Sequence, residues 1–217
     1  MNFNPVFFDL DGTITDSEVG IINSVQYALK HFGVSMTRES LIPFIGPPLR
    51  DSFSKLFPDD QEKVEGVIRK YREYYTDQGI FENRLYDGIF ELLHTLAAEG
   101  RTLALATSKP EPFALRIVEH FDIAQCFTCV AGAEFNGPRN NKTAVLRYAC
   151  ERLGVTPSAS CLMIGDRKYD VAGAHAVGMP CAAVLYGYGS EAELKAAEAD
   201  WLCPDVPSLQ ALLQKKN

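Results

Sequence analysis

Residues 6–18 read VFFDLDGTITDSE. Three apolar residues, Val6, Phe7 and Phe8, lead straight into Asp9, and Asp11, Gly12 and Thr13 follow. Residues two apart on a strand share a face, so the two carboxylates are close. At about 4 Å and an effective dielectric near 20, two such charges repel by roughly 4 kcal/mol. More reactive residues follow other apolar runs. Thr107, Ser108 and Lys109 come after "LALA", Asp166 and Asp170 come after "LMIG", and Lys142 opens the helical segment before that last run. Each alone has an ordinary explanation, since an Asp at a strand end caps the next helix and a first-turn lysine is solvated. Together they make a different case. Grouped carboxylates call for positive charge, which Lys142 supplies in part. Hard oxygen ligands with few protein contacts suit Mg²⁺, which keeps several waters. The gap that remains suits a phosphate.

The elements that must bring these residues together are legible. Short apolar runs ("PVFFD", "RTLALATS", "CFTCVAG", "SCLMIGD", "PCAAVLYG", "ADWLC") alternate with segments of helical period. "DGIFELLHTLAAEG" puts Ile89, Leu92, Leu93 and Leu96 on one face with Gly100 as a C′ cap, and "NKTAVLRYACERLG" ends likewise at Gly154. Strands apolar throughout, separated by helices, predict an α/β fold with a parallel sheet covered on both faces. In such a sheet ligands bind beyond the carboxyl ends of the strands, which is where the acids, the hydroxyls and the lysines fall. One interval breaks the rhythm: residues 16–86 hold helical patterns and no convincing strand. Thr15 and Glu18 fit a capping box for a first helix with Ile21, Ile22, Val25, Leu29 and Phe32 as its stripe. "TRESLIPFIG" and "QEKVEGVIRKYREYYTDQG" supply further helices. The expected organisation is a core of residues 1–15 and 87–217 with a helical cap at 16–86.

Composition narrows the function classes. The chain has 217 residues, 47% hydrophobic and 23% charged, as soluble globular proteins do. Its net charge of −7 argues against a general nucleic-acid binder, but not against a phosphorylated substrate, because a bound cation inverts the local field. The N-terminus lacks a basic segment followed by a long apolar one, and no run reaches the ~18 apolar residues of a membrane span. A cytoplasmic protein without membrane or nucleic-acid partners is expected, as a monomer or homodimer. The six cysteines read as buried free thiols. Cys126 and Cys129 form a CxxC with no second pair, which argues against zinc. The four histidines fall on helical segments away from the acids.

With these residues in view, the chain resembles the haloacid dehalogenase-like (HAD) hydrolases over essentially its whole length. "DLDGT" is similar to the family's first motif, "LALATS" to its second, Lys142 to the lysine of its third, and "GDRKYD" to its acidic fourth. The helical insertion resembles a C1 cap, and "FIGPPLRDSF" and "VLYGYGS" resemble the phosphoglycolate phosphatase-like branch. The resemblance implies a Rossmann-like, doubly wound core and a Mg²⁺-dependent phosphatase acting on a small phosphorylated metabolite. It implies Asp9 as nucleophile forming an aspartyl-phosphate and Asp11 as general acid, then base. Asp9, the Asp11 main-chain carbonyl and Asp166 would hold Mg²⁺, with Asp170 supporting that set. Thr107 and Lys142 would bind phosphoryl oxygens, assisted by Ser108 and the backbone at Gly12. Arg50 in the cap would contact a remote anionic part of the substrate, with pairing to Asp51 or Glu39 as the plainer reading. Asn23, Tyr27, Tyr71, Tyr74 and Tyr75 are weaker cap candidates. A sugar-phosphate mutase would use the same core and is told apart by whether inorganic phosphate is released. A non-enzymatic phospho-acceptor module would need neither a cap nor Asp11.

Overall fold

Apolar runs flanked by turn residues become the strands, and every central one is buried on both faces. The computed structural model describes residues 3–214. After β1 (Val6–Phe8) come β2 (Thr15–Asp16), α1 (Glu18–His31), α2 (Arg38–Leu41), α3 (Leu49–Leu56) and α4 (Gln61–Tyr74). Then follow β3 (Arg84–Leu85), α5 (Ile89–Ala98), β4 (Leu103–Pro110), α6 (Glu111–His120), β5 (Cys129–Ala133) and α7 (Lys142–Leu153). The chain continues through β6 (Leu162–Gly165), α8 (Lys168–His175), β7 (Cys181–Val184), α9 (Glu191–Ala196), β8 (Trp201–Cys203) and α10 (Val206–Gln214).

Six strands form one sheet in the order β5-β4-β1-β6-β7-β8. All of its pairings are parallel. β1 lies at the centre, with β4 on one side and β6 on the other, so the chain winds outward in both directions from it. That is the topological switch point, where the loops after neighbouring strands diverge and leave a crevice. Phe7 on β1 anchors one side of the sheet, packed with Ala104, Ala106, Met163 and Cys181 of its neighbours and with Val145 and Leu146 of α7. Burying a side chain of this kind is worth about 1.5–3 kcal/mol.

Two compact units result: Asp16–Arg84, and the rest of the described chain. The first is helical. Along α4, Val64, Ile68 and Tyr71 are buried, and Tyr71 stacks on Tyr75 at 5.3 Å and 13°, so these two tyrosines are core of the unit. A turn of π-helix, Tyr75–Gly79, extends α4. Its Gly79 and Gly20 of α1 approach so closely that a Cβ at either would overlap the other's carbonyl.

Two local expectations change. The predicted capping box at Thr15 is absent: Thr15 belongs to β2, its hydroxyl turns back to the Leu10 carbonyl (3.4 Å), and Ser17 is the N-cap of α1. The backbone at residue 15 is already committed to the turn after β1, which moves the helix start two residues on. "CFTCVAG" is only partly strand, because Ala124–Cys126 makes a 3₁₀ turn first. Both cysteines of the CxxC, like the other four, are free and buried.

Candidate active site

Asp9 follows β1 directly, and its N–H donates to the Ile164 carbonyl at 2.8 Å, carrying the β1–β6 ladder one residue past the strand. The carboxyl ends of β1 and β6 are thereby fixed side by side. The chain then turns sharply. The Leu10 carbonyl accepts from Thr13 (3.3 Å), Ile14 (2.9 Å) and Thr15 (2.9 Å), and Gly12 takes φ = 82°. A Cβ there would fall on the Asp166 carboxylate, so glycine is required both by its dihedral and by this approach. The Gly12 N–H, expected to face substrate, donates to Thr15 O at 2.8 Å.

Lys142, the first residue of α7, reaches into the cluster from the side. Asn141 caps this helix, accepting from the Ala144 N–H at 3.0 Å. The ammonium lies 2.9 Å from Asp9 Oδ1 and 2.8 Å from Asp170 Oδ1, and it donates to the Ala106 carbonyl at 2.8 Å. Two carboxylates and a carbonyl thus surround the ammonium, one as hydrogen-bond acceptor and two as ion-pair partners. Lys142 is therefore first of all the tie that holds Asp9 and Asp170 together.

Asp166 follows β6 and is fully buried. Its Oδ2 accepts the Tyr188 N–H at 2.7 Å, while its Oδ1 is buried with no hydrogen-bond partner among the described residues. Asp170 sits in the first turn of α8, where its Oδ2 accepts the Arg167 N–H at 3.0 Å. Asp9, Asp166 and Asp170 each offer a carboxylate oxygen, and all three oxygens lie within 4.8 Å of one another.

The electrostatics follow from burial. Asp9 is pushed above the ordinary carboxylate range by desolvation, which the attraction of Lys142 offsets in part and the repulsion of Asp170 reinforces. Asp166 is pushed well above that range by desolvation first, then by Asp170 and Asp9, against the opposing pull of the Tyr188 N–H and Arg167. Burial alone would make Lys142 easier to deprotonate, but Asp170 and Asp9 reverse the sign and hold it above the usual lysine range. Three buried oxygens, one of them unpartnered and two of the acids reluctant to ionise, make a donor set that a hard divalent cation would complete.

Thr107 is buried at the end of the regular part of β4, and its hydroxyl is hydrogen-bonded to the Asp9 carboxylate. Between Thr107 and Pro110 the register against β5 shifts, and Ser108 sits half-buried on this irregular stretch. Asp11 stands outside the acid trio, its Oδ2 2.5 Å from Lys109 Nζ. Asp170, expected only to support the cation ligands, is one of the trio. In the helical unit Arg50 is exposed and paired with Glu65, rather than with Asp51 or Glu39. Asn23 bridges Arg38 and Glu82 at 2.8 and 2.9 Å, and Tyr27 donates to Glu73 at 2.6 Å.

Sequence reasoning left the loop after β7 without a role. Besides the Tyr188 contact to Asp166, Tyr186 donates its hydroxyl to the Thr13 carbonyl at 3.1 Å. A Cβ at Gly187 would overlap Gly12 O, and one at Gly189 would overlap Asp166 O. The alternation of glycine with tyrosine in "YGYGS" was the available signal: glycines where backbone presses on backbone.

Comparison with known proteins agrees with this architecture. A family model described as haloacid dehalogenase-like hydrolase matches residues 6–184. A Pseudomonas aeruginosa protein named 5'-nucleotidase is 39% identical over 99% of this chain and 97% of its own. The Mycobacterium tuberculosis tyrosine-protein kinase PtkA is 43% identical over 85% of this chain, which spans 62% of that longer protein. The crystal structure of a predicted phosphatase from Clostridium acetobutylicum superposes with a TM-score of 0.93 at 42% identity, covering 98% of this chain and 99% of that one.

Proposed function

Because the chain belongs to the haloacid dehalogenase-like hydrolases, we propose that it is a Mg²⁺-dependent phosphatase of small phosphorylated metabolites, with Asp9 as the nucleophile. The observation that carries this reading is the placement of Asp9 at the switch point, tied to Lys142 and Thr107 and beside two further buried acids. Among small phosphate esters, nucleoside 5'-monophosphates are the first class to test. The full-length relative named 5'-nucleotidase supports that choice.

Asp9, Asp166 and Asp170 would hold the cation, which when bound supplies charge neutralisation to the phosphoryl oxygens. The chain's own groups do the rest. A carboxylate oxygen of Asp9 attacks phosphorus, the bond to the ester oxygen breaks, and that oxygen takes a proton from Asp11. A water then attacks the aspartyl-phosphate and gives a proton to Asp11, releasing inorganic phosphate and restoring both carboxyls. Thr107 orients Asp9, and Lys142 holds it against Asp170 so that the attacking oxygen is presented in one geometry. Ser108, the Gly12 turn and, in the helical unit, Arg50 complete the set of substrate contacts in this reading. Residues 16–86 act as the cap that selects the leaving group. The six free, buried cysteines support placement in the reducing cytoplasm.

The experiment is phosphate release from a panel of nucleotides, sugar phosphates, phosphoglycolate and aryl phosphates, with Mg²⁺ and with EDTA. Asp9→Asn should abolish release, and chelation should abolish it reversibly. Wild-type turnover by Asp9→Asn would sink the nucleophile assignment. Transfer of the phosphoryl group to a second sugar hydroxyl or to tyrosine, without release of phosphate, would make the protein a transferase on this scaffold.

A further inference from the structure

Lys109 is the second buried lysine of the cluster, and the phosphatase scheme gives it no task. Its side chain is 6% exposed, and its Nζ lies 2.5 Å from Asp11 Oδ2. Its backbone N–H donates to Thr107 Oγ1 at 3.2 Å. One residue thus links the hydroxyl that orients the nucleophile to the acid two residues beyond it. The register shift of β4 after Thr107 falls across this residue. Asp11 needs such a restraint. It precedes a glycine with φ = 82°, and its Oδ1 is buried with no hydrogen-bond partner among the described residues. Charge-assisted bonds are shorter and stronger than neutral ones, so the ammonium fixes a carboxyl that the turn would leave loose.

We propose that Lys109 is a positioning residue that acts through Asp11, setting its carboxyl for proton exchange with the leaving oxygen. The inference rests on Asp11 being the acid and base of the reaction proposed above. A misplacement of about 1 Å can cost on the order of 10²-fold in rate.

The test is a double-mutant cycle on the full chain with Mg²⁺, using Lys109→Met, Asp11→Asn and the pair. It is read as release of the leaving group, the first chemical step, in single turnovers on an alkyl phosphate, whose leaving oxygen needs a proton, and on 2,4-dinitrophenyl phosphate, whose leaving group does not. Asp11→Asn should be slow on the alkyl ester and nearly normal on the dinitrophenyl ester. If it is not, the acid/base reading itself fails, independently of Lys109. With that reading standing, Lys109→Met should lose about 10²-fold in the rate of the alkyl ester with little change in KM, spare the dinitrophenyl ester, and add less than about twofold to Asp11→Asn. A raised KM, or a loss on both esters that persists in the Asp11→Asn background, would show direct contact with the phosphoryl group and overturn the proposal. Unchanged rates would overturn it as well. Should the Met variant fail to melt cooperatively, Lys109→Gln takes its place in the same cycle. Should Asp11→Asn be inert on the alkyl ester, p-nitrophenyl phosphate replaces that substrate.

Discussion

Gly173 of α8 lies directly against the stem of Lys142: a Cβ on Gly173 would stand 2.7 Å from Lys142 Cγ and 2.8 Å from its Cβ. These atoms are near the α7 backbone, so they cannot swing aside as a side-chain tip would. Helix propensity alone favours Ala over Gly by roughly 0.8–1 kcal/mol. Overpacking in a buried contact costs about 1–3 kcal/mol, and here the displaced group is the cation that ties Asp9 to Asp170. Gly173→Ala is therefore expected to lower the melting temperature and to cut kcat by tenfold or more, on the order of what a small misplacement of the nucleophile costs. A stabilised, fully active variant would show that α8 yields and that the close approach is not functional.

The buried acids predict how stability depends on pH. Asp9 and Asp166 are raised in the fold above their unfolded value near 3.8. Between that value and their folded values the native state binds more protons than the unfolded one, so their contribution makes metal-free stability fall as pH rises. Other carboxylates oppose this slope, Glu193 and Asp200 among them, because their folded values are lowered. The informative quantity is the difference between wild type and Asp166→Asn. In EDTA, the variant should gain stability over wild type progressively as pH rises from 4 towards neutral. Mg²⁺ should erase that gain by stabilising wild type, and should do so more at pH 7.5 than at pH 5. A difference that is flat with pH in EDTA would mean that Asp166 ionises without penalty.

The cysteines should be inert. All six are buried and free, and burial pushes the Cys150 thiol up to about 12 and the Cys203 thiol to about 11. The thiolate is the reactive form. At pH 8 the native protein should therefore react with Ellman's reagent only as fast as it unfolds, and the full six should titrate in denaturant. Fast reaction of a thiol in the native state would identify a site where the fold opens locally.

The sequence makes the sheet legible because its strands are buried on both faces and must be apolar throughout, as "LMIG" and "CAAV" are. It makes Asp9, Asp166 and Lys142 legible because strand ends and a helix start fix where they fall. Other features depend on contacts between distant loops, which periodicity does not encode. Thr15 and Glu18 have the right spacing for a capping box, but the turn around Leu10 O takes Thr15 first. The Lys109–Asp11 pair joins residues 98 apart in sequence. Arg50 pairs with Glu65, 15 residues along the chain on the next helix, and nothing in its own neighbourhood marks that partner. The loop after β7 was visible only as a pattern of glycines.

The loop after β7 holds both the turn after β1 and the acid after β6. Tyr186 and Tyr188 tie the loop to Thr13 and to Asp166, and Gly187 between them lies where a Cβ would overlap Gly12 O and crowd Asp166 Cβ. The neighbours are backbone on one side and the root of a fully buried acid on the other, so neither can give way cheaply. Tyr186→Phe removes one hydrogen bond and should cost about 0.5–1.5 kcal/mol of stability, leaving the Asp166 contact in place. Gly187→Ala must instead lift the loop, break the Tyr188 N–H bond to Asp166 and free a carboxylate that the fold otherwise orients. The expected signature is a specific one: weaker Mg²⁺ dependence of the melting temperature and a raised Mg²⁺ requirement for turnover in Gly187→Ala, with Tyr186→Phe close to wild type in both. Equal behaviour of the two variants would show that the loop stabilises the fold without holding Asp166 for the cation.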